Sequence, residues 1–211
     1  MMAASTTEPT KLVVHHLNDS RSQRILWLLV PYEIKKYQRL PDGIAPPALK
    51  EVNPLGTAPV ITDDSRNIAE SGAIVIYLIE KYGKGRGKAT EAGFVNDLFY
   101  VHYSEGSLAP ILVMKLVFGI IPKQAPFFIR WLLNMVFKAV DSAFIGPRLK
   151  IEAHLNKCGD WIAGGSEPTA ADYMMVFIIE FWADIDASLI GPKMKAYALE
   201  KGGEYKWAKD L

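Results

Sequence analysis

Short apolar runs broken by turn residues fill the first part of the chain, and long helical stripes replace them further on. Lys11 to His16 is a β-branched run that predicts a first strand. Asn18-Asp19-Ser20 supplies turn and N-cap residues. Ser22 to Leu29 then puts Ile25, Leu28 and Leu29 on one helical face, and Pro31 stops that helix. Tyr32 to Gln38 alternates as a second strand. Asp42 to Pro47 is a Pro/Gly-rich loop, and Ala48 to Val52 a short helical turn. Pro59 to Thr62 predicts a third strand, Asp63-Asp64-Ser65-Arg66 a hairpin turn, and Asn67 to Ala69 a very short fourth strand. Ser71 to Tyr82 has helical spacing and ends at Gly83, a helix-stop residue.

That order, β-α-β-(α)-β-β-α, predicts a small α/β domain over 1–83 with a thioredoxin-like arrangement, a mixed sheet packed by helices. A polar, Gly-rich linker spans 84–89. Over 90–211 the pattern is almost wholly helical, so the expected fold class is an α/β thioredoxin-like N-terminal domain plus an all-α C-terminal domain. Thr90 to Leu108 is a long amphipathic helix, and Ile111 to Val117 extends or follows it. Further helices are expected at Pro126 to Val140, Pro147 to Asn156 and Thr169 to Ala187. The last opens on Thr169-Ala170-Ala171-Asp172, a capping-box pattern with Thr169 as N-cap and Asp172 returning the bond; Pro168 and Tyr173 are placed to form a hydrophobic staple.

Composition narrows the function classes. Of 211 residues, 50% are hydrophobic and 22% charged, a globular balance. A net charge of +1 and the lack of a dense Lys/Arg block argue against nucleic acid as a partner. One cysteine, Cys158, precludes an internal disulfide and points to a reducing, cytoplasmic setting. Met1 to Thr10 is small and polar, unlike a secretory signal. No uncharged apolar run reaches the ~18–20 residues of a membrane span; the nearest, Ser107 to Pro122, is interrupted by Lys115. His15 and His16 have no partners at metal-ligand spacing, so no metal is expected.

The chemistry concentrates in Asn53-Pro54-Leu55-Gly56-Thr57-Ala58-Pro59-Val60-Ile61-Thr62-Asp63 and in Glu70-Ser71-Gly72-Ala73-Ile74. Physically this suits an extended peptide with a free carboxylate. Val60 can offer its backbone N–H and C=O to such a peptide as an added strand. The N–H groups where the next helix begins favour the carboxylate, Ser71 adds a hydroxyl, and Glu70 suits an amine. The bland reading is a turn, a strand and a capped helix without a ligand.

The same stretch resembles the glutathione-binding signature of the glutathione transferases. In that family the proline is cis, the residue after it pairs with the cysteinyl part of glutathione, and a Glu-Ser pair holds the γ-glutamyl end. The resemblance therefore implies Val60, Glu70 and Ser71 in those roles, with glutathione as co-substrate. Thr57 stands where many relatives carry a Lys or Gln that contacts the glycyl carboxylate; it brings a hydroxyl but no charge, and Lys50 or Arg21 is placed to replace it. The Thr169–Asp172 box, after the family-like Trp161-Ile162-Ala163-Gly164, extends the resemblance to the second half, where it serves folding.

Such enzymes stabilise a thiolate. A free thiol titrates near ~8.5, and lowering that by about two units supplies roughly 2.7 kcal/mol. A hydroxyl or amide donor does this without ionising itself. Ser20 occupies the expected place between first strand and first helix, in Ser20-Arg21-Ser22-Gln23-Arg24-Ile25, which looks like the serine-type segment of the family. Asn18 and Ser22 compete for the role, and capping alone is the bland reading. No tyrosine or cysteine lies in this loop, which argues against the tyrosine- and cysteine-type sites; Cys158 reads as a buried structural thiol. Phe99, His102, Tyr103 and Ser107 share a face at i, i+3/i+4 spacing and are the acceptor-site candidates, against core packing as the bland alternative.

The resemblance implies a homodimer that conjugates glutathione to hydrophobic electrophiles and reduces organic hydroperoxides. The alternative is a non-catalytic ligand-binding or regulatory protein of the same fold. A weak membrane-surface association is a further expectation: Leu108 to Val140 is unusually apolar, carries Lys115, Lys123, Arg130 and Lys138, and holds no acidic residue before Asp141. The competing expectation for that segment is a buried hairpin or a dimer contact. Set against the family pattern, the chain looks short after Leu29-Val30 and at the joins near Lys150-Ile151 and Lys195-Ala196, which reads either as compact helices or as missing stretches.

Overall fold

The computed structural model describes residues 11–28, 31–145, 151–185 and 191–202. Their contacts fall into two compact units, one up to Arg86 and one from Gly87. The first begins with β1 (Leu12–Leu17), α1 (Gln23–Leu26), β2 (Glu33–Tyr37) and a 3₁₀ turn over Pro47–Glu51. It continues with β3 (Val60–Asp63), β4 (Arg66–Ala69) and α2 (Ser71–Tyr82). The sheet order is β2-β1-β3-β4. β1 runs parallel to β2 with Val14 opposite Ile34; β3 runs antiparallel to β1 with His15 opposite Val60, and β4 antiparallel to β3 with Val60 opposite Ala69. This is the mixed sheet that the sequence pattern predicts.

The helices form where apolar spacing gives them a face to bury. Ile74, Val75, Leu78 and Ile79 of α2 recur at i, i+1, i+4 and i+5 and are all buried. They share the core with Val14, Ile25, Leu26 and Ile61. α2 stops at Gly83, whose φ of −67° is ordinary helix, not the left-handed form common at such stops. Glycine is required there for room: a Cβ would collide with the carbonyl oxygens of Ile79 and Arg86. α1 is shorter than its periodicity predicts. Helical hydrogen bonding ends by Trp27, and the expected extension to Leu29 passes outside the described residues.

In the second unit, α3 (Phe94–Tyr103) passes through a π-turn over Ser104–Leu108 into α4 (Ala109–Gln124), so the two predicted segments are one continuous helix. The first turn from Thr90 is not α-helical; Gly93 is the N-cap. α5 (Phe127–Val140) follows, then a π-turn over Asp141–Ile145, α6 (Ile151–Leu155), α7 (Ala170–Ile185) and α8 (Pro192–Gly202). The expected starts and joins over 147–150 and the end at Ala187 lie outside the described residues, while Lys195-Ala196 lies within unbroken α8. The helix Phe94–Gln124 is long and apolar enough to cross a membrane by length and composition alone.

The start of α7 is the best-tied point of this unit. Asp172 Oδ2 accepts from the Thr169 amide at 2.8 Å, the returning half of the predicted box. The other half differs: the Thr169 hydroxyl lies 3.1 Å from the same carboxylate oxygen instead of capping an amide. Asp172 Oδ1 also accepts from the Ile162 amide at 2.9 Å and from the Tyr197 hydroxyl. Asp97 of α3 accepts from the Ala171 amide at 2.8 Å, so a neighbouring helix caps α7.

Candidate active site

The strand pairings gather the predicted site at one end of the sheet. His15 lies opposite Val60 and Val60 opposite Ala69, so the turn after β1, the segment before β3 and the start of α2 share that end. Arg24 closes the group: its Nη1 donates to the Ser71 hydroxyl at 2.9 Å, tying α1 to the first residue of α2.

Ser20 is buried except for a small exposed fraction (8%). Its hydroxyl lies 2.7 Å from the Leu17 carbonyl and 2.7 Å from the Ser22 hydroxyl, and it accepts from the Ser22 amide at 3.2 Å. Ser22 is fully buried, with its hydroxyl 2.7 Å from His16 Nδ1. Although Ser22 is the N-cap of α1, its side chain makes no capping bond. Asn18 is otherwise engaged: its Nδ2 donates to Asp19 Oδ2 at 2.9 Å, while its Oδ1 accepts from the Arg39 amide at 2.7 Å and its carbonyl from the Arg39 Nε. Of the three candidate donors, Asn18 gives an amide proton to Asp19 while the two serines form one hydrogen-bonded pair.

His16 is buried. Burial holds its imidazole below the ordinary histidine value, Lys36 lowers it further, and Asp19 opposes this. His15 serves the sheet. Its ring joins the Tyr37 hydroxyl at 3.0 Å and the Thr62 hydroxyl at 2.8 Å, linking β2, β1 and β3. Neither contact was legible in a His-His pair, because alternate strand residues face opposite sides.

The Ala58–Pro59 bond is cis. Val60, however, is enclosed, with β1 on one side and β4 on the other. A strand cannot be added at a residue flanked on both sides, so the open-edge role expected of Val60 does not fit. Ala58 lies just ahead of the paired register and is partly exposed. Thr57 is exposed, and both its carbonyl and its hydroxyl accept from Asn53 Nδ2 at 2.9 Å. The Lys50 stem packs against Gly56, 3.2 Å from where a Cβ would stand, which brings its ammonium to the turn that carries Thr57.

Glu70 is the exposed N-cap of α2 at φ 72°, ψ 115°. A positive φ at a non-glycine residue is uncommon and clusters at functional positions. Ser71 follows, buried, its hydroxyl proton left to donate because the oxygen accepts from Arg24. A helix start with a hydroxyl donor beside a carboxylate suits a ligand end that carries both a carboxylate and an amine.

A model of the glutathione S-transferase N-terminal domain matches residues 15–87. Glutathione S-transferase 3 of Schizosaccharomyces pombe is 36% identical over 179 residues, which cover 80% of this chain and 73% of that protein. The chain belongs to the glutathione S-transferase family. Glutathione S-transferase 1 of Saccharomyces cerevisiae is 30% identical over 185 residues, 79% of each chain. A solved glutathione S-transferase from Actinobacillus pleuropneumoniae superposes with a TM-score of 0.68 at 26% identity, covering 89% of this chain and 85% of that one.

The acceptor-site candidates of this transferase lie on the second unit. Phe99 and Tyr103 stack with centroids 5.5 Å apart, and Phe99 meets Tyr100 edge-on at 5.0 Å. Phe99 is 55% exposed, and His102 and Ser107 are exposed too, so this face is not core. The core face of the same helix carries Tyr100, Val101, Ser104 and Leu108. Cys158 is half-buried, and burial raises its thiol above the usual value, away from reactivity.

Proposed function

We propose that this protein transfers glutathione to hydrophobic electrophiles, with Ser20 donating its hydroxyl to the glutathione thiolate. The observation that carries the reading is the placement of a nearly buried serine hydroxyl at the sheet end that also holds the start of α2. A donor in such a poorly hydrated position stabilises an anion more than one in water does. Glutathione then lies extended. Its γ-glutamyl carboxylate meets Ser71 and the α2 amides, its amine meets Glu70, and its cysteinyl amide pairs with the backbone of Ala58. Lys50, with the Thr57 hydroxyl, takes the glycyl carboxylate. The exposed Phe99–Tyr103 stack, flanked by His102 and Ser107, supplies an apolar surface for the acceptor. The same thiolate reduces organic hydroperoxides, two glutathiones being oxidised to the disulfide as the hydroperoxide becomes alcohol and water. The setting is cytoplasmic.

The test is steady-state conjugation of glutathione to an aryl halide. Ser20→Ala is expected to lower turnover roughly 10- to 100-fold, with glutathione affinity held within a few-fold. Unchanged turnover would remove Ser20 from the role, and glutathione binding by the unaltered protein without any turnover would make it a carrier.

A specific observation favours a second statement. No residue of α5 is buried, and Phe127, Phe128 and Trp131 are 84%, 63% and 66% exposed. Monomers seldom leave an apolar face of this kind open to water. We assign it to a second copy of the chain. Light scattering of the purified protein is expected to give a dimer; a monomer that co-sediments with anionic liposomes would give this face to a membrane surface instead.

A further inference from the structure

Three residues line up inward from the proposed thiolate site. Ser20 touches solvent slightly, whereas Ser22 and His16 are 0% and 2% exposed. The Ser20 and Ser22 hydroxyl oxygens are 2.7 Å apart, and Ser22 Oγ lies 2.7 Å from His16 Nδ1. Both hydroxyls also reach the Leu17 carbonyl, Ser20 at 2.7 Å and Ser22 at 3.2 Å. Capping does not explain Ser22, because its side chain makes no cap bond at α1. Sheet packing does not explain a histidine there either, since an apolar residue would fill the same place without needing a partner.

Counting protons gives the chain a direction. Each hydroxyl carries one proton and can accept at two lone pairs. We propose that His16 and Ser22 are positioning residues for the thiolate donor: His16 Nδ1–H donates to Ser22, Ser22 donates to Ser20, and Ser20 is left to give its own proton to the glutathione sulfur. Without a ligand that last proton goes to the Leu17 carbonyl. When Ser20 turns to the sulfur, the Leu17 carbonyl gives up that bond, because the one Ser22 proton is held on Ser20. Successive donors polarise one another, so the terminal O–H becomes a better donor to an anion than an isolated serine. A neutral His16 suits the scheme, since a single proton held at Nδ1 sets the order of the chain. Its other charged neighbours, Lys36 across on β2 and Asp19 in the turn, act from outside the chain.

The inference rests on the Ser20 assignment, and one set of titrations separates the two. Thiolate formed on glutathione binding to the full-length protein is followed by its ultraviolet absorbance against pH. Ser22→Ala and His16→Leu are each expected to raise the pH of half-ionisation of the bound thiol, leaving about tenfold less thiolate at neutral pH. The glutathione dissociation constant should stay within about twofold, because these residues touch no part of the bound peptide. The double variant should be no worse than either single one, since both break the same chain. His16→Asn, whose amide can sit near the Nδ1 position, should restore most of the ionisation. A purely structural His16 would lower the melting temperature and leave the thiol midpoint in place. Ser22→Ala removes a single oxygen from a filled site, so it decides the matter even where His16→Leu does not fold. A wild-type midpoint in Ser22→Ala, or additive losses in the double variant, overturns the chain. A wild-type midpoint in Ser20→Ala overturns the Ser20 assignment and the chain together.

Discussion

Thr57 illustrates how a residue-level departure can be offset by a neighbour in space. It brings no charge to the turn, and its hydroxyl oxygen already accepts from Asn53. The Lys50 stem lies along Gly56, one residue away, so an ammonium is held beside the same turn. An exposed cation near a carboxylate is worth about 1 kcal/mol, so Lys50→Ala should raise the KM for glutathione about fivefold and leave kcat within twofold. Kinetics with varied glutathione check this; an unchanged KM would return the glycyl end to Thr57 alone or to Arg21. Phe99→Ala has the opposite signature. It should lower kcat/KM for a hydrophobic acceptor severalfold without moving the KM for glutathione, since it removes only apolar contact area. At this scale the sequence is informative about residue type and poor about neighbours. Ser20 and Ser22 stand out as donors in a turn, yet that His16 lies against Ser22 depends on the path of the chain between them. Val60 fails as an open edge for a related reason: strand order is a long-range property, and β4 closes the side that a short motif leaves unspecified.

The element scale follows the same division. α2 is legible to the residue, because Ile74, Val75, Leu78 and Ile79 repeat at helical spacing between Glu70 and Gly83. The passage from α3 into α4 is less so: the pattern carries a helix to Leu108 and leaves open whether Ile111 to Val117 extends or follows it, while the chain runs on through a π-turn that keeps Ser104 and Leu108 buried. Asp172 was legible as a cap, but not as the centre of a network that also takes the Ile162 amide and the Tyr197 hydroxyl. That network makes a sharp prediction. Burial pushes the Asp172 carboxyl above the usual range, and the donors from Ile162, Tyr197 and Thr169 oppose this. Removing the acceptor leaves several buried donors unpaired at once, so Asp172→Ala should cost about 3–5 kcal/mol in urea unfolding. Asp97→Ala removes a single cap bond and should cost about 1 kcal/mol. A smaller loss for Asp172 than for Asp97 would contradict the network.

Across the whole molecule, pH reports on the sheet that carries the site. Burial lowers both His15 and His16 below the ordinary histidine value, and Lys35 and Lys36 add to it. In the unfolded chain both titrate near ~6.5. Below that value the unfolded state takes up protons that the folded state refuses, so folding loses free energy as pH falls. The stability these groups contribute is therefore complete above ~6.5 and disappears as pH drops through their lower folded values. Asp63 acts in a lower window. Burial pushes its carboxyl up, but hydrogen bonds from Lys81, Tyr77 and Tyr82 outweigh this and hold it below the usual carboxylate range. Its contribution survives the first loss and disappears only in stronger acid. Urea midpoints should therefore fall in two stages: a first decline between about pH 7 and 5 from the histidines, and a second below about pH 4 from Asp63. Replacing His15 with Gln, which keeps hydrogen-bonding groups toward Tyr37 and Thr62, should shrink the first stage to the share of His16 and leave the second intact. Asp63→Asn should do the reverse. A midpoint that holds steady or rises between pH 7 and 5 in the unaltered protein would mean that the two imidazoles are protonated as readily in the sheet as in water, and that their burial costs the folded state nothing.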